Sequence, residues 1–227
     1  MTKYHERKAA AEGNPADSEP ASFLARSIAR ESLTISGLDD PADPVQRQQA
    51  AMLAGRLHRS LSTFPSYRRQ EGAVRNTAAT GGPWGWLPLF DDGCSRAGLM
   101  FLERGKSVPL HDHPGAVAIT LVVTGKIEII QCDADSEESK RDLTVRWEGR
   151  LKAGEATFLT VAAGNIHSFK AVEDCVVFDL FAISYPYEKR SWFIPETTLF
   201  GPGGNTQPRR PTPANAARQD YHHTPAN

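Results

Sequence analysis

Between Trp84 and Pro195, short apolar runs recur at nearly even spacing, and each is closed by a turn signal. The runs are Trp84–Phe90, Ala97–Leu102, Ala116–Val123, Ile127–Cys132, Leu143–Trp147, Ala156–Val161, His167–Val172 and Val176–Ile183. Asp91-Asp92-Gly93, Arg104-Gly105, Thr124-Gly125-Lys126, Gly149, Gly154, Gly164-Asn165 and Glu173-Asp174 separate them. Runs this short, punctuated this often, predict about eight strands in a sandwich or barrel and leave no room for the long crossovers of βαβ units. The stretch Asp133–Arg141 mixes acids and bases and reads as a solvated loop between two strands.

The rest of the chain has other textures. Residues 21–83 read as a helical segment. Phe23, Leu24, Ile28 and Leu33 mark one short amphipathic piece, and Val45, Met52, Leu53, Leu57, Leu61 and Phe64 a second. Asp43 before Pro44 is a helix N-cap followed by proline at the first helical position, and Pro65 should stop that helix. Residues 1–20 and 201–227 carry too few large apolar groups to offset the entropy of ordering them, so disordered tails are expected around a barrel over 84–200.

Composition excludes several classes of function. The formal net charge of -1 argues against a nucleic-acid binder, which needs a basic face. No apolar run reaches the roughly 18 residues of a membrane span, and the polar start Met1-Thr2-Lys3-Tyr4-His5 has no secretory pattern. Three scattered cysteines, Cys94, Cys132 and Cys175, make neither a disulfide framework nor a thiolate zinc knuckle. A cytoplasmic location follows as the expectation.

Chemistry concentrates in three of the seven histidines. In Leu110-His111-Asp112-His113-Pro114-Gly115 two imidazoles stand two residues apart, so extended backbone aims both at one point. His167, in Gly164-Asn165-Ile166-His167-Ser168-Phe169, opens a later strand that a rolled sheet can bring beside them. His58 reads as a surface residue of the second helix, and His222-His223 falls in the tail. With Gly105, Gly125, Gly154 and Gly164 at their places, the spacing resembles the two-motif pattern of the cupin superfamily. That resemblance implies a mainly β jelly-roll barrel with a metal at its mouth, here preceded by short N-terminal helices. Where that pattern carries a glutamate ligand, this chain has Ala118, and Ala162 stands near the expected proline. The ligand set is then three neutral imidazoles, which suit iron, copper, nickel and zinc alike and leave coordination positions open for catalysis. A site that adds no carboxylate keeps the full charge of a divalent ion and favours an anionic ligand such as a thiolate.

Val108-Pro109-Leu110-His111-Asp112-His113-Pro114-Gly115, Gly164-Asn165-Ile166-His167-Ser168-Phe169 and Cys175-Val176-Val177-Phe178-Asp179-Leu180 together resemble the cysteamine dioxygenase and plant cysteine oxidase family, over roughly half the chain. The resemblance implies a non-haem Fe(II) thiol dioxygenase, acting as a monomer. It would convert cysteamine, or an N-terminal cysteine of a peptide or protein, and dioxygen into a sulfinic acid. By position it implies His111, His113 and His167 as ligands of Fe(2+), Asp179 as the pocket aspartate and Tyr185 as a tyrosine near the substrate. The family often has a cysteine shortly after that tyrosine. Lys189-Arg190-Ser191-Trp192-Phe193 has none, so a Cys–Tyr crosslink from there is not expected. Two readings compete: a metal-binding cupin that senses or binds without turnover, and another three-His cupin oxygenase or isomerase. Asp179 also has a plainer reading, as a carboxylate satisfied within an apolar strand, and Tyr185 as a packing residue before Pro186. Asn165 reads as a turn residue and Asp112 as a structural one.

Overall fold

A computed structural model describes residues 37–63, 73, 84–91, 95–134 and 143–183. Among the described residues the elements run α1 (Pro44–Leu61), then nine strands: β1 (Gly85–Asp91), β2 (Ser95–Leu102), β3 (Ser107–Asp112), β4 (Ala116–Thr124), β5 (Lys126–Ala134), β6 (Leu143–Lys152), β7 (Ala156–Leu159), β8 (Ile166–Ala171) and β9 (Cys175–Ile183). They form two antiparallel sheets, ordered β1-β2-β9-β4-β7 and β3-β8-β5-β6. The two expected tails and the first amphipathic piece lie outside the described residues.

Eight strands fall where the apolar runs predict them. The ninth, β3, carries His111. It escapes the pattern because Ser107-Val108-Pro109-Leu110-His111-Asp112 is half polar and holds a proline. Proline cannot donate to a ladder and settles at bulges, and here the register with β8 slips between Val108 and His111. Chain crossings between the sheets are tight. Gly125, with φ of 79°, turns β4 in one sheet into β5 in the other, and a Cβ there would lie 2.9 Å from the Cys175 Cα.

Strand alternation sorts the core into two layers. On β9, Val176, Phe178 and Leu180 face α1, together with Ile119, Leu121, Leu99 and Phe158. Cys175 and Val177 face the barrel interior with Met100, Leu102, Val122, Ile127, Ile129 and Phe169. Full burial of a side chain such as Phe178 or Leu180 is worth about 1.5–3 kcal/mol, so both layers hold the fold without help from any ligand.

α1 starts as the sequence predicts: Asp43 accepts from the Val45 N–H at 2.8 Å, and Pro44 is at the first turn. Its buried face is partly the expected one. Leu57 is fully buried and Leu53 packs partly buried against the same core, whereas Val45 and Met52 are 60% and 67% exposed. Ala50 and Ala54, which the expectation left out, are fully buried, and their small side chains let the helix backbone approach the sheet closely. The helix also ends at Leu61, ahead of Pro65, where the Ser62 N–H returns to the His58 carbonyl at 2.9 Å. His58 is half-buried rather than a surface residue, with its ring 5.8 Å from that of Phe178.

One close approach inside the barrel yields a stability prediction. Gly98 on β2 lies under the Trp86 indole, which a Cβ would overlap. Gly98→Ala should therefore cost ~1–3 kcal/mol by overpacking, read as a lower denaturation midpoint at unchanged slope. An unaltered midpoint would show that Trp86 is not held there.

Candidate metal centre

The register of β3 against β8 sets His111 directly opposite His167. His113 follows one residue beyond the end of β3, in the turn where Ala116 N–H donates to the His113 carbonyl at 3.1 Å. All three imidazoles are 3% exposed. Their Nε2 atoms converge: His113 to His167 at 3.0 Å and His167 to His111 at 3.2 Å. Among the described residues this is the one cluster of potential metal ligands.

The bulge at Pro109 has a chemical consequence. The Pro109 carbonyl lies 2.7 Å from His111 Nδ1. A carbonyl only accepts, so Nδ1 carries the proton and Nε2 presents its lone pair to the cluster. Backbone carbonyls hold metal-bound histidines in this way, fixing both tautomer and ring orientation.

The donor set fits a divalent cation. Three buried imidazoles bring their Nε2 atoms to one point, where each can offer a lone pair when its Nδ1 carries the proton. Three protein ligands would leave further coordination positions of such an ion open to incoming ligands.

The surroundings are dry and apolar on one flank. Phe181 stacks on His113 with centroids 5.3 Å apart, and Phe169 meets His167 edge-on at 4.7 Å. Ala118, at the position where a cupin glutamate would reach the metal, is 2% exposed and packs with Leu159 and Phe181.

Asp179 is 4% exposed on β9, on the face shared with Val177 and Phe181 that strand alternation predicts. It accepts a 2.6 Å hydrogen bond from the Thr120 hydroxyl, its register partner on β4. Thr120 gives no signal in the sequence, because a threonine in an apolar strand is ordinary. Gln131, opposite His167 and fully buried, donates to the Phe158 carbonyl at 2.7 Å and accepts from the Thr157 hydroxyl at 2.7 Å. These bonds anchor a polar side chain beside the histidines. Asp112 is buried at 3%. Tyr185 and the Lys189–Phe193 segment lie outside the described residues.

Neither described cysteine belongs to the cluster. Cys132 and Cys175 are buried, and burial, with Asp133 and Glu148 nearby, pushes the Cys132 thiol up to about 12. Its reactive thiolate is therefore scarce at neutral pH. Cys132 should resist iodoacetamide at pH 8 in the native protein and label fully after unfolding, as peptide mass mapping would read. Rapid native labelling would contradict its burial.

Solved structures similar to the chain include the cupin domain of Schizosaccharomyces pombe Cnp3, at 15% identity over 46% of this chain and 67% of that one, with a TM-score of 0.36. KdgF from Halomonas sp. is 21% identical over 46% of this chain and 84% of its own, with a TM-score of 0.37. A salicylate 1,2-dioxygenase variant from Pseudoaminobacter salicylatoxidans is 8% identical over 51% of this chain and 32% of its own, with a TM-score of 0.39. The mainly β fold expected from the sequence is the fold observed, as two antiparallel sheets. The family match is closer to the chemistry: residues 63–194, more than half the chain, match the PCO_ADO family and contain all three clustered histidines and Asp179. The chain belongs to the PCO_ADO family, that of the plant cysteine oxidases and cysteamine dioxygenases.

Proposed function

We propose that this protein is an Fe(II)-dependent thiol dioxygenase. Its substrate would be an aminothiol, either cysteamine or the N-terminal cysteine of a peptide, and its product the sulfinic acid. The observation that carries the reading is the buried three-histidine cluster in a chain of this family. The reaction balances without a further reductant: a thiol and one dioxygen contain all the atoms of the sulfinic acid. Bound iron supplies the redox chemistry of that step.

The chain's own residues do the rest. His111, His113 and His167 would hold the ion. Phe181 and Phe169 keep water from the histidine rings. Asp179, braced by Thr120, supplies a buried carboxylate for the substrate's ammonium group. Tyr185 is assigned a place near the substrate on the family pattern alone. No described helix is long and apolar enough to cross a membrane. A cytoplasmic monomer completes the proposal.

The test is anaerobic loading with Fe(II), followed by exposure to oxygen with cysteamine, free cysteine or an N-terminal Cys peptide. A gain of two oxygen atoms on one of these thiols is the expected result. Iron and thiol binding with no oxygen consumed would assign the protein to binding without turnover instead.

A further inference from the structure

Asn165 is spaced like a turn residue, yet its side chain does what a strand residue would do. The backbone pairing of β3 with β8 ends at Asp112 opposite Ile166. The next position would pair His113 with Asn165, but the chain turns away at Pro114-Gly115. Asn165 closes the gap with its amide: Oδ1 accepts from the His113 N–H at 3.0 Å, and Nδ2 donates to the His113 carbonyl at 3.0 Å. A carboxamide has one acceptor and two donors, and the second donor goes to the Thr160 carbonyl at 2.9 Å.

The turn that bears Asn165 is itself fixed. The Thr160 hydroxyl accepts from the Ala163 N–H at 2.9 Å, and Asp133 Oδ1 accepts from the Gly164 N–H at 2.5 Å. Gly164 has a φ of 63°, and a Cβ there would come 2.8 Å from Pro41 Cγ. The amide is thus anchored at one end to a rigid turn and at the other to the backbone of a single histidine.

We propose that Asn165 is the positioning residue for His113, holding the one member of the cluster that lies outside a strand in register with the two that lie inside. The inference rests on the metal-centre reading above. It concerns metal affinity, so it does not depend on turnover.

The test measures Co(II) and anaerobic Fe(II) dissociation constants by chelator competition, with circular dichroism to verify folding. Asn165→Ala should weaken binding by about 10–100-fold, the usual loss when a ligand's supporting partner is removed. Asn165→Asp keeps the acceptor for His113 N–H but turns an oxygen toward two carbonyls, so it should bind no better than Asn165→Ala. If Asn165→Ala does not fold, Asn165→Ser takes its place with the same expected loss. In a His113→Ala background the Asn165 substitution should change affinity by less than about twofold, because paired residues acting through one group do not add. A folded Asn165→Ala protein with unaltered affinity would overturn the inference, even if its melting temperature fell. A full additional loss in the His113→Ala background would overturn it as well. Absence of metal binding in the unaltered protein would remove the metal-centre reading and this inference together.

Discussion

His167→Ala should empty the metal centre while the barrel stays folded. His167 has Nε2 contacts to both His111 and His113, at 3.2 and 3.0 Å, so its removal takes away the common vertex of the cluster. Loss of a direct ligand should exceed the ~10–100-fold cost of disturbing a supporting partner, and metal content after dialysis should fall to background. The fold has separate supports. Phe158, Phe178, Leu99, Leu102, Ile127 and Leu180 are nearly or fully inaccessible and belong to the two apolar core layers. The substitution should therefore cost only ~0.5–3 kcal/mol of stability. Elemental analysis reads the metal and circular dichroism the fold. His111→Ala should behave the same way. Stoichiometric metal in either purified variant would reject the ligand assignment.

That site was legible because its two determinants are local. His111 and His113 are two residues apart, and His167 opens a strand whose boundaries glycine and apolar alternation announce. The antiparallel register then does the long-range work, bringing His111 and His167 face to face. What was not legible depends on contacts between distant segments. Pro109 hides β3 from a search for apolar runs, although its bulge provides the carbonyl that orients His111. Ala50 and Ala54 share the helix contact with Leu57 because they are small, whereas a size-weighted reading passes over them and prefers Met52, which faces outward. Asn165 shows a turn residue by type, while its partners lie 52 residues earlier and on the Thr160 carbonyl. In each case the sequence specifies the residue and the packing assigns its task.

Asp179→Asn should separate metal binding from substrate handling. The amide is nearly the same shape as the carboxylate, and its Oδ1 can still accept the Thr120 hydroxyl. Asp179 is not among the converging nitrogen ligands, so bound iron should remain within about twofold of the unaltered protein. What disappears is one buried negative charge. Losing one partner of a buried, hydrogen-bonded charge pair costs about 2–5 kcal/mol, and each 1.4 kcal/mol is about a factor of ten. For an aminothiol whose ammonium group pairs with Asp179, kcat/KM should fall by roughly 30- to 4,000-fold. A thiol without an amine, such as 2-mercaptoethanol, offers an internal control. It should be a poor substrate for both proteins and should lose little on substitution. Thr120→Val keeps the charge and removes its 2.6 Å brace, so it should give a smaller loss with the same preference for amine-bearing thiols. If Asp179→Asn oxidised aminothiols as fast as the unaltered enzyme, the carboxylate would be a satisfied core group and the amine would have to be bound elsewhere. Equal losses with and without the amine would instead point to Asp179 acting on the reaction itself, since only a charge that recognises the ammonium group distinguishes the two thiols.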